Sequence, residues 1–303
     1  MDDNATIAIL IPFYTNLNFL KSAIESVVAQ DSANWDCIVI DDCGPESSFR
    51  LVSEFHDHGV QYIRNETNLG IAANWNRAID LAKSDYLMLL HADDVLSPTF
   101  VSETLATFRQ FPSADVVHCG ATIINEAGDQ TKNFVNFVKT MLKPTSSMGF
   151  TVVQGDRGLA SITRGNWIIC PTAVFKRSVF AQAKFDESLS FAMDLWFFSQ
   201  LLLTGSQIVG IDSKNYNYRI HGGSQTSALT SSGLRFAEEW SVINRVQVCS
   251  KELGWLRTYL EATLRITLRA HLIFEAIRSI LRLQFKRSAV LSKWALVGPD
   301  QVA

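Results

Sequence analysis

The feature that most constrains this chain is the alternation, over its first 120 residues, of short apolar runs with segments of helical spacing. The apolar runs are rich in β-branched residues and cover 6–13, 35–40, 60–64 and 86–90. Apolar side chains recur at helical spacing over 18–30 and 71–83. Strands that alternate with helices pair in parallel through right-handed crossovers. The sequence therefore predicts an α/β fold with a doubly wound parallel sheet flanked by helices.

Three of these predicted strands end in short segments that differ from the apolar runs and are candidates for ligand contact. They are Pro12, Phe13 and Tyr14 at the first, Asp41 and Asp42 at the second, and His91 to Asp94 at the fourth. Ligands of open α/β sheets bind beyond the carboxyl ends of the strands, so we expect these residues to meet in one crevice. An acid after a strand can also be a turn or N-cap residue, and that alternative stays open for each pair alone. Two acidic pairs at one edge repel each other, which favours a bound cation.

The second half of the chain contains one acid in an unusual setting. Its predicted elements are a helix ending at 111, a strand over 114–120, an apolar run over 166–175 and a helix over 191–205. The stretch 131–165 lacks a regular pattern and predicts a loop or insertion. Asp194 interrupts the apolar helix. It either caps the helix or occupies a partly desolvated site, where burial raises the pKa of a carboxyl toward the range of a general base.

The C-terminal segment is helical in pattern and opposite in charge to the rest. Residues 251–293 contain nine Lys or Arg and three Glu, so the segment carries +6 and the remainder −9. Leucine and isoleucine recur at helical spacing across 256–285. A basic amphipathic tail of this kind fits docking on the catalytic part of the chain, pairing with a second subunit, or contact with an anionic lipid surface.

Composition excludes several classes of protein. A chain of 303 residues with 47% hydrophobic and 19% charged residues can bury a full core, so a disordered or fibrous protein is excluded. The net charge of −3 argues against nucleic acid as a partner. Five scattered cysteines fit a reducing cytoplasm. The acidic N-terminus does not fit a secretory signal, and no apolar run is long enough for a membrane span.

Several segments together resemble a known enzyme family. They are ILIPFYTNLNFLKSAIESVVAQ, VIDDCGPES, NLGIAANWNRAIDLAKSDYLMLLHADD, FDESLSFAMDLWFFSQLLLTG and YRIHGGSQTS. In order and spacing these resemble the family-2 glycosyltransferases, inverting enzymes of the GT-A fold that use nucleotide-activated sugars. The similarity extends over 5–230. It implies a GT-A catalytic domain over 1–235, with a nucleotide-sugar half 1–120 and an acceptor half 121–235, followed by a basic helical tail over 236–303.

The resemblance also implies roles for individual residues. For the nucleotide sugar these are Pro12, Phe13, Tyr14, Asp41 and Asp42 at the base, Asn68, Gly70 and Asn76 beside the ribose and diphosphate, and His91, Ala92 and Asp93 in the D-x-D-like motif. For the metal they are Asp93, with Asp94 and His221 beside it, and for the catalytic base Asp194. The sequence departs from the family at His91, where an acid is usual. His221 could instead be a turn residue.

The chemistry of sugar transfer gives independent reasons for these residue types. A diphosphate leaving group binds at an acidic site only through a hard cation, so Mg²⁺ or Mn²⁺ is expected. The cation acts as a Lewis acid on the leaving group while an opposing carboxylate takes the proton of the acceptor hydroxyl. A single displacement of this kind inverts the anomeric centre. We also expect a lid formed by Arg219 with the glycines of 222–223, closing over the diphosphate.

The acceptor is the least determined partner. Arg164, Asn166 and Trp167 are candidate contacts, although a Trp in an apolar run is also expected to pack in the core. We expect transfer from a UDP-sugar to a saccharide or lipid-linked saccharide, in polysaccharide or glycolipid synthesis, in the cytoplasm or at the inner membrane face. A nicotinamide oxidoreductase would need G-x-G-x-x-G after the first strand, where IPFYTNLNFL has no glycine. A catalytically inactive nucleotide-sugar-binding or scaffold protein remains the alternative.

Overall fold

The computed structural model describes residues 5–131, 139–222, 229–230 and 232–299. It has an eight-stranded mixed sheet and a second sheet of three strands, with helices on both faces of the larger one. The strands are β1 (Ile7–Phe13), β2 (Trp35–Asp41), β3 (Val60–Arg64), β4 (Tyr86–Leu89), β5 (Val95–Leu96), β6 (Val116–His118), β7 (Ala121–Ile124), β8 (Phe150–Val153), β9 (Ala173–Lys176), β10 (Ile208–Ile211) and β11 (Tyr216–Arg219). The predicted α/β class is confirmed.

The helices follow the pattern expected for crossovers in the first half and form a separate group at the C-terminus. They are α1 (Leu17–Val28), α2 (Phe49–Ser53), α3 (Ile71–Leu81), α4 (Phe100–Gln110), α5 (Gly155–Arg164), α6 (Met193–Leu203), α7 (Leu234–Glu252), α8 (Leu256–Leu264), α9 (Ile266–Leu281) and α10 (Phe285–Val297). Short 3₁₀ turns complete the set, among them Cys170–Thr172.

The large sheet is parallel in its first half and mixed in its second. Its order is β3-β2-β1-β4-β9-β6-β10-β8. Strands β3, β2, β1 and β4 are parallel, as predicted, whereas β9 runs antiparallel to both of its neighbours. Strand β9 therefore joins the parallel half to the rest of the sheet. Periodicity alone does not give strand direction, so this reversal was not predicted.

Both faces of the sheet are covered. Along β1, Ile7, Ile9 and Ile11 pack into the core beneath α1 and α4, while Ala8 and Leu10 pack into the core beneath α3 and α6. A strand that is buried on both faces has no polar alternation, which explains the continuous apolar run.

The stretch 131–165 corrects the expectation of a loop, because it contains β8 and α5. Leu159 and Ile162 of α5 are fully buried against the core. The glycines within α5 are poor helix formers, so the sequence did not predict a helix here. Residues 132–138 lie outside the described part.

The C-terminal helices are not a loose tail. The C-terminal helices share a buried cluster with the sheet and its flanking helices; the shared residues include Phe236 and Trp240 of α7, Leu272 of α9 and Leu291 of α10. The boundary predicted at 235 therefore separates elements in sequence but not two hydrophobic cores. Among the described helices, none is long and apolar enough to cross a membrane.

Candidate active site

The ends of the first four strands meet at one edge of the sheet. The amide of Asp42 donates to the carbonyl of Phe13 at 2.7 Å, and the amide of Asn65 donates to the carbonyl of Asp41 at 2.8 Å. The amide of Leu90 donates to the carbonyl of Leu10 at 2.9 Å. These bonds extend the parallel strand pairing beyond the strands. The segments that follow β1, β2 and β4 therefore lie side by side, as the strand pattern predicted.

Asp41 is buried and organises the loop that follows β2. Its carboxylate accepts hydrogen bonds from the Ser48 hydroxyl, the Tyr62 hydroxyl and the Arg64 guanidinium at 2.8–2.9 Å. It also accepts from the amides of Gly44 and Ser48. Burial raises the pKa of Asp41, but these hydrogen bonds outweigh it and hold the pKa below its ordinary value. The buried carboxylate of Asp41 therefore holds the loop that follows β2.

Asp42 holds the loop that precedes α3. One oxygen accepts from the side chain of Asn65 at 2.7 Å and the amide of Leu69 at 2.9 Å, and the other from the amide of Gly70 at 3.0 Å. Asn68 is exposed and also accepts from the amide of Gly70, whose φ of +84° favours glycine. Asp42 and this loop form one unit, which keeps the predicted base and ribose contacts adjacent.

The segment after β1 presents one aromatic ring to solvent. Phe13 is buried, whereas Tyr14 is 49% exposed. Gly44 packs directly over Tyr14, and a Cβ at this position would lie 1.8 Å from the Tyr14 carbonyl oxygen. Only glycine permits this approach, so Gly44 is a structural residue of the pocket that the sequence analysis did not identify.

Asn76, predicted beside the ribose and diphosphate, binds other parts of the protein. It is buried, and its side chain exchanges two hydrogen bonds with the backbone of Phe185 at 2.9 and 3.0 Å. It also donates to Glu187 at 3.0 Å. The residue joins α3 to the segment before α6, and both N–H groups of its amide donate to protein acceptors.

The partly exposed acid of the D-x-D-like motif is Asp93. Its carboxylate is 2.9 Å from Nε2 of His221, and the two side chains are 32% and 17% exposed. The ring of Phe19 packs against His221 with 5.1 Å between ring centroids. The structure thus brings together two residues that are 128 positions apart in the chain and that were both predicted at the metal.

Asp94 is held inside the protein. Its two oxygens accept from the hydroxyl of Tyr216 and the amide of Arg219, both at 2.7 Å. Burial, together with the nearby charge of Asp93, raises the pKa of Asp94 well above its ordinary value. These contacts make Asp94 a support that fixes the backbone of Asp93.

Arg219 corrects the predicted lid. The residue is buried, and its guanidinium donates to the carbonyls of Asp93, Asn125 and Glu126 at 2.7–3.1 Å. Arg219 therefore holds the backbone around Asp93 in place and is not free to act as a mobile phosphate contact. Residues 223–228 of the predicted lid lie outside the described part.

His91 stands where the family usually has an acid. Its Nδ1 is 3.7 Å from the carboxylate of Asp94, and its ring lies 5.4 Å from that of Trp75. Burial lowers the pKa of His91, so the neutral imidazole is favoured. Its Nε2 is buried and has no hydrogen-bond partner among the described residues. A neutral imidazole with a vacant nitrogen is available to a ligand.

Asp194 lies in the first turn of α6 but is not its N-cap, which is Ala192. One oxygen accepts from the amide of Leu195 at 2.6 Å, and the other from Nδ2 of Asn166 at 3.0 Å. Burial raises the pKa of Asp194, although the positive charge of Lys139 opposes this. Of the two alternatives from the sequence, the structure favours the desolvated site.

A residue that the sequence analysis missed holds the backbone before Asp194. Glu238 of α7 is buried, and its carboxylate accepts from the amides of Ser190, Phe191 and Ala192 at 2.7–3.0 Å. It satisfies backbone donors at the entry to α6 that would otherwise lack partners. An acid on a helix is usually taken as solvent-facing, and nothing in the sequence distinguishes Glu238.

A cavity of about 360 Å³ adjoins Asp194 and lies among α5, α6, α7 and α9. Most of its lining is apolar; the charged or titratable residues in it are Lys139, Arg164, Asp194, Arg235, Glu239 and His271. Among the described residues, Asp93 does not line this cavity. Helix α9 supplies Leu268, Ala270 and Phe274. The C-terminal helices therefore form one wall of the space beside the predicted base.

The three candidate acceptor contacts have different surroundings. Asn166 lines the cavity and binds Asp194. Arg164 also lines it, but its guanidinium pairs with Glu261 of α8. Trp167 is only 5% exposed, and its Nε1 donates to Ser161 at 3.3 Å. Trp167 therefore packs in the core, which was the alternative expectation, and offers no ring face to a sugar.

Asp93 and Asp194 are each linked to the segments that flank the β4–β9 pair. Strands β4 and β9 are antiparallel, with Met88 opposite Val174, so the residues after Met88 run beside those before Val174. Asp93 follows β4, and Asn166, which precedes β9, donates to Asp194. Burial and then the charge of Asp194 raise the pKa of the Cys170 thiol well above its ordinary value.

Comparison with known proteins supplies the family. Residues 8–180, more than half of the chain, match the family model described as glycosyl transferase family 2. The chain belongs to this family. A putative colanic acid biosynthesis glycosyl transferase of Escherichia coli, WcaA, is 35% identical over 112 residues, which cover 36% of this chain and 40% of WcaA. The glycosyltransferase GlyG of Streptococcus pneumoniae is 25% identical over 228 residues, covering 72% of each chain.

Solved structures of a glycosyltransferase share the fold. The structure of S. aureus TarS residues 1–349 in complex with UDP-GlcNAc superposes with a TM-score of 0.63 at 14% identity, covering 95% of this chain and 91% of that one. TarS has the GT-A fold, so the predicted fold is confirmed. The matched region of the first curated relatives is short, at 40% and 37% of their own lengths.

Family-2 enzymes of the GT-A fold commonly use a divalent metal. His91, Asp93 and Asp94 offer ligand atoms that all lie within 4.8 Å of one another. The partly exposed carboxylate of Asp93 suits Mg²⁺ or Mn²⁺, which prefer oxygen ligands, whereas the Nε2 of His91 is buried. Asp94 already uses both oxygens. The donor set fits a cation that takes its remaining ligands from a diphosphate.

Proposed function

We propose that this protein transfers a sugar from a UDP-sugar to a hydroxyl of a saccharide or lipid-linked saccharide, by metal-assisted single displacement with inversion. The observation that supports the proposal is a pair of unlike carboxylates: Asp93, which follows β4 and is paired with His221, and Asp194, which binds Asn166 and lies beside an apolar cavity. The UDP-GlcNAc complex of TarS supports a UDP-sugar, and the description of WcaA supports polysaccharide synthesis. Free thiols such as buried Cys37 and Cys119 support a cytoplasmic location.

The donor side is organised around Asp93. A divalent cation held there by Asp93, with His221 beside it, would neutralise the diphosphate and act as a Lewis acid on the leaving group. Asp94 and Arg219 fix the backbone of Asp93 through contacts at 2.7 Å, so the carboxylate is positioned before the donor binds. Asp42 and the loop it holds bind the nucleotide, with Tyr14 as the exposed aromatic surface.

The acceptor side is organised around Asp194. Each oxygen accepts a single hydrogen bond from the protein, from Leu195 or from Asn166, and so retains lone pairs for the proton of an acceptor hydroxyl. Burial raises the pKa of Asp194, which makes the carboxylate a stronger base than an exposed aspartate. Attack from this side, opposite the diphosphate, inverts the anomeric centre.

The cavity beside Asp194 is the proposed acceptor site. Polar groups at Arg235, Glu239 and His271 offer hydrogen bonds to sugar hydroxyls, while the apolar walls exclude water from the base. Exclusion of water favours transfer to the acceptor over hydrolysis of the donor.

A screen of nucleotide sugars against the purified full chain tests the proposal. With Mn²⁺ present, a UDP-sugar should raise the melting temperature and be slowly hydrolysed, because a ligand that binds only the native state stabilises it. Stabilisation should weaken when the metal is chelated. The Asp57→Asn variant, which changes an exposed acid on the surface, serves as a control and should behave as the parent.

Two results would count against the proposal. Binding of a UDP-sugar without hydrolysis or transfer to any acceptor would support the inactive binding protein instead. Absence of stabilisation by every nucleotide sugar tested would remove the donor assignment altogether.

A further inference from the structure

The C-terminal helical hairpin, formed by α9 and α10, exposes a continuous apolar surface. Six exposed apolar residues lie along the second half of α9, the turn that follows it and the start of α10; they are Ile273, Ile277, Ile280, Leu281, Leu283 and Phe285, which are 48–79% exposed. We refer to these six residues as the hairpin face. On α9 they recur every three or four positions and so lie on one side of the helix. The opposite side, with Leu272 and Ala276, is buried against the core.

Basic side chains accompany the hairpin face. Residues 266–297 contain six Lys or Arg and a single acid, Glu275. That acid is buried and is paired with Arg278 at 2.6 Å, with Arg287 3.9 Å away. Arg282 and Lys286, which flank the turn, are exposed. The hairpin therefore presents apolar side chains surrounded by uncompensated positive charge, on a molecule whose remaining charge is negative.

The hairpin face is continuous with the cavity beside Asp194. Phe274, next to Ile273 in the chain, is 47% exposed and also lines the cavity. Ala270, one turn before it, does the same. An apolar chain that lies along α9 can thus reach the cavity past Phe274, whose ring has the Arg278 guanidinium 5.8 Å from its centroid.

We propose that the hairpin face docks on an anionic lipid bilayer. Apolar side chains that enter the boundary of the acyl chains, ringed by Lys and Arg that meet anionic headgroups, are what such a surface binds. A second copy of the chain is a poorer occupant, because two such faces would bring like charges together. Docking itself does not depend on the proposed function. Its consequence, delivery of a lipid-linked acceptor past Phe274 to Asp194, rests on that function.

Vesicle binding by the full chain tests the docking. The protein should co-sediment with vesicles of phosphatidylcholine mixed with phosphatidylglycerol, and much less with phosphatidylcholine alone. Salt should weaken the association, because it screens the charges. The double variant Arg282→Gln/Lys286→Gln should bind roughly 25-fold more weakly, at about fivefold for each charge removed. Leu281→Ser/Phe285→Ser should abolish binding in both salt conditions.

Matched variants separate docking from a general change in charge or stability. Lys83→Gln/Lys251→Gln removes two exposed charges elsewhere, and Val152→Ser/Val248→Ser removes two exposed apolar side chains elsewhere. Both should bind vesicles as the parent does. Binding that responds equally to the hairpin variants and their controls would overturn the proposal.

Two further outcomes would also overturn it. One is a dimer in solution that Leu281→Ser/Phe285→Ser converts to a monomer without any vesicle binding by the parent. The other is equal binding to neutral and anionic vesicles. If vesicle binding is absent while transfer to a soluble saccharide proceeds, docking is refuted and the proposed function stands.

Discussion

Glu238 supports the predicted base from outside the region that matches the family model, and its removal gives a quantitative prediction. Its carboxylate accepts from three successive backbone amides, those of Ser190, Phe191 and Ala192. A hydrogen bond to a charged group contributes about 1.5–3 kcal/mol. Ser190 is exposed and can bond to water instead, whereas Ala192 is buried and cannot. We therefore expect Glu238→Ala to lower the free energy of unfolding by about 3–5 kcal/mol, the full loss at Ala192 and a partial loss at Phe191.

Glu238→Gln is the matched control. A glutamine can place its carbonyl oxygen where the carboxylate oxygen that serves all three amides now lies, so it loses charge but keeps the acceptor. Charge-assisted bonds are about twice as strong as neutral ones, so this variant should lose about 1–2 kcal/mol. Urea denaturation followed by tryptophan fluorescence measures both variants.

Activity should follow the same order below the unfolding transition. Loss of the amide contacts frees the entry to α6, which carries Asp194, so Glu238→Ala should lower kcat and leave donor binding unchanged. Equal destabilisation by the two variants, or a loss below about 1 kcal/mol for Glu238→Ala, would refute the reasoning.

Three further predictions concern the titratable groups of the site. Burial raises the pKa of Asp194, so kcat should decrease on the acid side at a pH above the ordinary pKa range of aspartate. Because the charge of Lys139 lowers this pKa, Lys139→Gln should move the decrease in kcat to higher pH. Asp41→Asn should lower the free energy of unfolding by about 1–3 kcal/mol at neutral pH. Because the pKa of Asp41 is lowered in the native state, the carboxylate stabilises the protein above the unfolded pKa, and the difference from the parent should vanish as the pH falls through the native pKa. Denaturation at several pH values measures this difference. Tyr216→Phe removes the hydroxyl that donates to buried Asp94, so the free energy of unfolding in the same assay should fall by about 1–3 kcal/mol. An unchanged free energy of unfolding would mean that this contact contributes nothing to stability.

Most of the sheet could be predicted because its strands are buried on both faces. The run 60–64 matches β3 to the residue, and the runs at β1, β2 and β4 agree within one residue at either end. Buried parallel strands leave a continuous apolar signal, and the polar residues at their ends mark the site. Helix α5 was missed because Gly155 and Gly158 dilute its pattern, although its buried side chains are apolar.

The site was only partly predictable, since residue type does not show what a side chain touches. Asp93 and His221 were named from the motif, and the structure puts them in contact. Asn76 was named from the resemblance and Arg219 from the affinity of arginine for phosphate, but both are buried and bind backbone groups. The cavity beside Asp194 exists because α9 packs against α5, α6 and α7. Local sequence patterns predict a helix but not the position at which it packs.

The proposed function depends most directly on two separate roles, metal-dependent donor binding by Asp93 and proton abstraction by Asp194. Titration calorimetry of UDP with Mn²⁺, paired with a transfer assay, measures donor binding and chemistry separately on Asp93→Ala and Asp194→Asn. We predict that Asp194→Asn binds UDP as the parent does while transfer falls by about 10²–10⁴-fold, and that Asp93→Ala loses metal-dependent binding of UDP. Equal loss of both properties in both variants, or transfer that persists in Asp194→Asn, would contradict the account.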